Sequence, residues 1–346
     1  SSGVPMQELT SGVVTLRGSR GAWAAIKEDG SVVTWGVNQY VESPAGSGNL
    51  TSGTACSLFA AGGCLAVLTG NGAVRTWSPA ACCSFFLPAD VVSPEGLVSE
   101  GAVSAMGHLD RGVLAVAHTE EREYEGAAWA ALTDSGEVRT WGHPRFGGDS
   151  SSVTSQLSSG VVAVHGSQGA FAAVKASGSV VAWGSPQEGG DAQAVKEQLA
   201  GGVVRVQSLG HAFAAWTQAG AVVTWGSPEA GGDSRAVADQ LRSGVSSVES
   251  NGLAAAALKV GGAVVAWGDP DSGGDAGLVA DQLCSGVTAV CGTHRAFAAL
   301  KEDGSVAAWG SASFGGDLGP AAPRLAAGVA TLHAGARAFV ALRACS

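Results

Sequence analysis

The sequence predicts an all-β fold, a seven-bladed β-propeller built from a repeat of about 42 residues. Three observations predict it: a Trp that recurs at constant spacing, a Gly-containing turn at a fixed distance before it, and apolar runs too short for helices. The Trp positions are Trp35, Trp77, Trp141, Trp183, Trp225, Trp267 and Trp309. Successive spacings are 42 residues, except for 64 between Trp77 and Trp141.

The copy that ends at Trp309 reads GVTAVCGTHRAFAALKEDGSVAAWG over 286–310, and the one that ends at Trp183 reads GVVAVHGSQGAFAAVKASGSVVAWG over 160–184. Each holds three apolar runs rich in Val, Ala, Phe and Trp, which read as strands. Between the second and third run stands a turn dipeptide with Gly second: Asp29-Gly30, Asn71-Gly72, Ser135-Gly136, Ser177-Gly178, Ala219-Gly220, Gly261-Gly262 and Asp303-Gly304. This predicts a two-residue hairpin of the primed type, in which Gly supplies positive φ. After the Trp comes Gly-Gly-Asp, at Asp149, Asp191, Asp233, Asp275 and Asp317, leading into segments such as Ala236 to Leu241. Asp before a mixed apolar-polar run predicts an N-cap and a turn or two of helix.

A sheet with two apolar faces cannot bury itself, so the copies must stack, with the Trp as the wedge between blades. Alternation along the strands is weak because both faces are covered. Seven third strands exist, but the preceding half-repeat occurs an eighth time, at 328–343, with no Trp after it. Seven blades is the favoured count; eight positions with one incomplete blade is the alternative.

Composition bounds the function. The chain has 346 residues, 46 % hydrophobic and 14 % charged, so it can bury a large core rather than stay disordered. The net charge of −10 without a basic run excludes nucleic acid as the expected partner. No apolar stretch is long enough to span a membrane. A peripheral position on a membrane complex stays open. The chain starts at Ser1 without Met, which is read as a processed form, with an organelle such as a plastid as its expected place. Seven Cys, none in Cys-x-x-Cys spacing, read as buried or semi-buried thiols, with Cys82–Cys83 the pair to watch for redox chemistry.

The string A-F-A-A-L-K-x-D-G-S-V-x-x-W-G resembles the repeat of the regulator of chromosome condensation family. In compactness the chain is similar to the bacterial β-lactamase inhibitor propeller of that superfamily. The match runs over about residues 10–343. The resemblance implies a seven-bladed propeller that recognises proteins through its faces and loops. The nucleotide exchange and chromatin binding of the founding member do not carry over, because the chain lacks basic tails.

Positions that vary between copies carry whatever is particular to this chain. Eighteen residues before each Trp stand Arg17, Phe59, Glu123, His165, Gln207, Glu249 and Cys291, with His333 at the matching place of the last half. Close by are Arg20, Gln168, His211, Asn251, His294, Arg295 and Arg337. All are expected in the loop between the first and second strands, gathered on one face. Two insertions, at about 78–100 and 108–126, fill the long gap. The first carries Phe85, Phe86 and Leu87, an apolar group that either tucks back onto the ring or docks a partner; the second is acidic, with Glu120, Glu121, Glu123 and Glu125. The candidate partner-binding residues are therefore Phe85, Phe86, Leu87, Arg17, Arg20, His165, His211, Glu249, His294, Arg295, His333 and Arg337.

No nucleophile elbow or phosphate loop appears, and no two His have metal-ligand spacing. The Asp of Gly-Gly-Asp recurs too often for catalysis and fits capping. Asn49-Leu50-Thr51 matches a glycosylation triplet, with nothing else to indicate secretion. No catalytic residue, cofactor or metal is expected. The expected function is a non-enzymatic protein-binding scaffold, an accessory subunit of a larger assembly, its partner unidentified. The alternatives are an inhibitor that blocks an enzyme with one face, an exchange-type regulator by family analogy, or an enzyme that uses the central channel.

Overall fold

Runs rich in Val, Ala, Phe and Trp favour pleated, closely packed strands. The computed structural model describes residues 9–19, 22–36, 55–61, 64–77, 112–119 and 127–343, and over these the apolar runs are strands. Arg20, Phe85, Phe86, Leu87, the Cys82–Cys83 pair, the four insertion glutamates and the Asn49 triplet lie outside the described residues.

The chain divides into two compact units, residues 1–176 with 181–185, and residues 177–180 with 186–346. In the first, the first sheet comprises β1 (Val13–Ser19), β2 (Ala22–Lys27) and β3 (Val32–Gly36). The second comprises β4 (Ala55–Ala61), β5 (Cys64–Thr69) and β6 (Val74–Trp77). The third comprises β7 (Val113–His118), β8 (Ala128–Thr133) and β9 (Val138–Gly142), and the fourth β10 (Val161–Gly166), β11 (Ala170–Lys175) and β12 (Val180–Gly184). In the second unit, the fifth sheet comprises β13 (Val203–Ser208), β14 (Ala212–Thr217) and β15 (Val222–Gly226). The sixth comprises β16 (Val245–Ser250), β17 (Ala254–Lys259) and β18 (Val264–Gly268). The seventh comprises β19 (Val287–Gly292), β20 (Ala296–Lys301) and β21 (Val306–Gly310), and the eighth only β22 (Val329–Ala334) and β23 (Phe339–Arg343).

This is the all-β, propeller-type architecture that the repeat predicts: seven complete antiparallel three-stranded sheets and a two-stranded eighth. β7 falls within the stretch read as the second insertion. Among the described residues no helix is long and apolar enough to cross a membrane.

The hairpins differ from expectation in type. In the sixth sheet Lys259 N–H donates to Ala263 O at 2.8 Å, and Gly262 N–H donates to Lys259 O at 2.8 Å, which closes a three-residue loop. Gly262 occupies the left-handed position at φ +75°, as a turn followed by a Gly bulge requires. Gly262 has a second duty: its carbonyl accepts Val287 N–H of the next sheet at 2.9 Å. A Cβ there would stand 2.7 Å from Gly286 N. Gly72 is used in the same way against Val113. Where Asp precedes the Gly, it fixes the turn: Asp303 Oδ1 accepts Ser305 N–H at 2.9 Å and its hydroxyl at 2.6 Å.

Within each unit the core is a series of layers between successive sheets. Middle strands are covered on both faces, and their alanines let the sheets approach. Ala255 and Ala257 of β17 join Trp216, Val222 and Val248 in the layer between the fifth and sixth sheets. Ala254 and Ala256 of the same strand join Phe297, Ala299 and Trp309 in the layer beyond. The recurring Trp is the wedge that the sequence predicts. Where its partner in the middle strand is aromatic the two rings stack, as in Phe297–Trp309, with centroids 5.5 Å apart, whereas Trp267 pairs with Ala255. Its indole N–H reaches back to the previous repeat. Trp183, Trp225, Trp267 and Trp309 donate to the carbonyls of Gly147, Gly189, Gly231 and Gly273 at 3.0, 3.0, 2.8 and 2.9 Å.

Those glycines open Gly-Gly-Asp, and the Asp stands one residue before the N-cap rather than at it. Oδ1 of Asp149, Asp191, Asp233, Asp275 and Asp317 accepts the N–H two residues on, at 2.8–3.0 Å, ahead of a short 3₁₀ turn. Single α-turns follow at α1 (Thr154–Leu157) and α2 (Ala280–Leu283), and bury Leu157 and Leu283.

Candidate protein-binding surface

The variable position lies one step earlier in the chain than expected. Arg17, Phe59, His165, Gln207, Glu249, Cys291 and His333 stand in first strands, paired with middle strands, rather than in the loop beyond. In the third sheet the equivalent residue is Ala117, which pairs with Ala130 as His165 pairs with Ala172. Counting back from Trp141 lands on Glu123 because the chain between β7 and β8 is longer there.

Within a unit, first strands of neighbouring sheets lie side by side, as β1 with β4, β7 with β10 and β19 with β22. In the second unit Gln207 Nε2 donates to Val248 O at 3.1 Å and Gln207 Oε1 accepts from Arg205 at 2.9 Å. The Arg205 guanidinium lies 4.7 Å from the Trp216 ring centroid. Glu249 is half-buried, and this burial raises its carboxyl pKa. Cys291 lies one repeat on, its thiol pushed up to about 11 by burial and then by the Glu249 charge. Cys56 and Cys284 are exposed, against the expectation of buried or semi-buried thiols.

His211 does not face solvent alone. Its Nδ1 lies 3.2 Å from Oε1 of Glu188, which is buried. Glu188 takes the place that Phe146, Ala230, Ser272 and Phe314 hold in other copies, so the pair replaces an apolar or small-residue contact. No repeat signal marks Glu188; only its departure from the pattern could have found it.

The candidates His294, Arg295 and Arg337 are brought together. His294 N–H donates to Ala336 O at 3.1 Å, which ties the turn after β19 to the turn after β22. Thr293 Oγ1 donates to Phe314 O at 2.9 Å, and the Arg337 guanidinium lies 5.4 Å from the Phe314 ring centroid. Arg295 O accepts Ser311 N–H at 2.9 Å. His294, Arg295 and Arg337 are all exposed, which makes a basic cluster on an acidic chain. His333 is exposed on β22, and Arg17 is exposed on β1 with its guanidinium bonded to Leu16 O at 3.2 Å. His165 on β10 is half-buried.

An open groove of about 500 Å3 lies between Pro186–Gln187 and Gly226–Glu229. Its lining of Pro, Gly, Ser, Gln and one Glu offers hydrogen bonds but no acid–base pair. Among the described residues no three His, Cys, Asp or Glu side chains are placed to hold a metal ion.

No protein-family model and no curated protein sequence matches the chain. Solved structures do. Human WBSCR16 is 17 % identical over 96 % of this chain and 87 % of that one, with a TM-score of 0.42. Prp20p from Saccharomyces cerevisiae, solved with an account of its binding to Gsp1p and histones, is 14 % identical over 77 % and 74 %, with a TM-score of 0.43. The CRINKLY WD40 ectodomain of the Arabidopsis thaliana receptor kinase ACR4 is 14 % identical over 86 % and 97 %, with a TM-score of 0.39.

Proposed function

We propose that the chain is a non-enzymatic protein-binding scaffold of the propeller type, an accessory subunit of a larger assembly. The observation that carries this reading is the basic loop cluster of His294, Arg295 and Arg337. A backbone hydrogen bond and a cation–π contact hold it on a framework that is otherwise constant between copies. Arg on an aromatic face is pre-ordered, so little side-chain entropy is lost when it binds. Exposed arginines that rim a rigid loop set suit an acidic protein surface, and complementary charge there sets on-rate and partner choice. The kinship to the regulator of chromosome condensation repeat belongs to the same proposal, since it rests on the repeated Asp-Gly-Ser-Val and Trp-Gly strings.

The test is affinity capture from native extract with the intact chain and with the double variant Arg295→Ala, Arg337→Ala. The reading expects one partner, enriched by the intact chain and reduced at least about tenfold by the variant, which is the loss of two exposed charged contacts. Equal recovery by both chains, with folding shown equal by circular dichroism, would contradict it.

A further inference from the structure

Among the described residues the eighth sheet has no third strand, which every other sheet has. In the seventh, β21 pairs along β20: Trp309 faces Phe297, Ala307 faces Ala299 and Val306 faces Leu300. Register matches β23 to β20 residue for residue, since Val329 pairs with Arg343 as Val287 pairs with Lys301. Phe339 thus stands at the place of Phe297, and Leu342 at that of Leu300. No described strand lies along the far edge of β23.

Two details follow the same gap. Phe297 is fully buried under the Trp309 ring, whereas Phe339 is only half-buried. Gly315 stands where Gly147, Gly189, Gly231 and Gly273 each accept an indole N–H, but no Trp of the described residues donates to it. Its geometry is otherwise that of its counterparts: φ is +94°, and a Cβ would meet the Phe339 ring as one on Gly273 would meet Phe297. The strand reads Phe-Val-Ala-Leu-Arg, with no Pro and one terminal charge to block pairing.

We propose that the eighth sheet is a strand-acceptor site: the far edge of β23, along which no described strand pairs, takes an extended segment of a second polypeptide with the pattern Val-x-x-Trp-Gly. The complete sheets supply the argument for this occupant. In six of them the third strand is Val-x-x-Trp-Gly (β3, β9, β12, β15, β18 and β21), and each of these is already paired within its own sheet. Main-chain bonds to β23 would give affinity, as in strand addition generally. The Trp would select the segment, its ring on Phe339 and its N–H on the Gly315 carbonyl. The proposal rests on the protein-binding reading above and names one partner class for it.

The test is fluorescence anisotropy of the full chain with a labelled peptide of sequence Asp-Gly-Ser-Val-Ala-Ala-Trp-Gly, that of residues 303–310. Saturable binding is expected, with amide protection appearing at 339–343 in hydrogen exchange. Affinity should fall at least about tenfold with Ala for the peptide's Trp or Pro for its central Ala, about the loss of one buried anchor or a broken ladder. Phe339→Ala should weaken binding likewise; Phe339→Leu, a milder change, guards against mistaking loss of the sheet for loss of the site. Absence of saturable binding, equal binding of the Trp→Ala peptide, or a stable dimer that the peptide does not disperse would overturn the proposal. The second outcome would mean no indole pocket; the first and third, an edge held by the chain itself or by a second copy. A partner still captured through Arg295 and Arg337 in that event would leave the scaffold reading standing.

Discussion

At the scale of the residue, the hairpin glycines separate two physical demands. Gly262 needs both a left-handed backbone and clear space against Gly286 N, at 2.7 Å from a built Cβ. Gly220 needs the backbone alone, since its nearest neighbour would be 3.6 Å away, and Gly261 needs neither. Denaturant midpoints should rank the variants accordingly. Gly262→Ala is expected to cost well over about 1 kcal/mol and Gly220→Ala roughly 1 kcal/mol, while Gly261→Ala leaves stability equal or slightly higher. Glu249 supplies a pH test. Burial raises its pKa, so the folded chain holds the proton more tightly than the unfolded chain does. The protonated form carries no penalty. The cost appears as pH rises through the unfolded and then the folded value. Glu249→Gln should therefore raise the unfolding midpoint at about pH 7 and leave it unchanged below about pH 3.5. The same substitution should speed alkylation of Cys291, whose thiol the Glu249 charge helps to keep protonated.

At the scale of the element, Trp183, Trp225, Trp267 and Trp309 each tie their strand to the preceding repeat. Trp267→Ala removes a buried ring from the layer between the fifth and sixth sheets, and should cost about 3–5 kcal/mol. Trp267→Phe keeps most of the ring but strands the Gly231 carbonyl, at a cost of about 1 kcal/mol beyond the lost area. Trp141 is buried in the same way, yet its Nε1 has no acceptor among the described residues. Trp141→Phe should thus be milder than Trp267→Phe in parallel thermal melts, and a larger loss at Trp141 would count against the indole bond as the tie. These elements were legible beforehand because seven copies repeat them. The hairpin type was not, since a Gly in second place suits both a two-residue primed turn and a three-residue turn with a Gly bulge. The misplaced variable position has a related cause: a strand residue and a loop residue look alike when neither is apolar. Arg295 and Arg337 could be singled out from sequence, but not their joining, which depends on a backbone bond between adjacent repeats. Glu188 was missed because the eye follows what recurs, and it is the exception in its column.

At the scale of the whole molecule, the chain couples a constant framework to a few charged exceptions. A net charge of −10 favours basic partner surfaces at long range, whereas the basic cluster favours an acidic one at contact. The two would be told apart by salt. Binding through the cluster should weaken as ionic strength rises from about 0.05 to 0.3 M, mainly through a slower on-rate. The measurement that tests the central claim most directly is hydrogen-exchange footprinting of the captured complex. The scaffold account predicts new protection at the turns 293–295 and 335–338, with the middle strands of the seven complete sheets unchanged. No protection at these turns would contradict it.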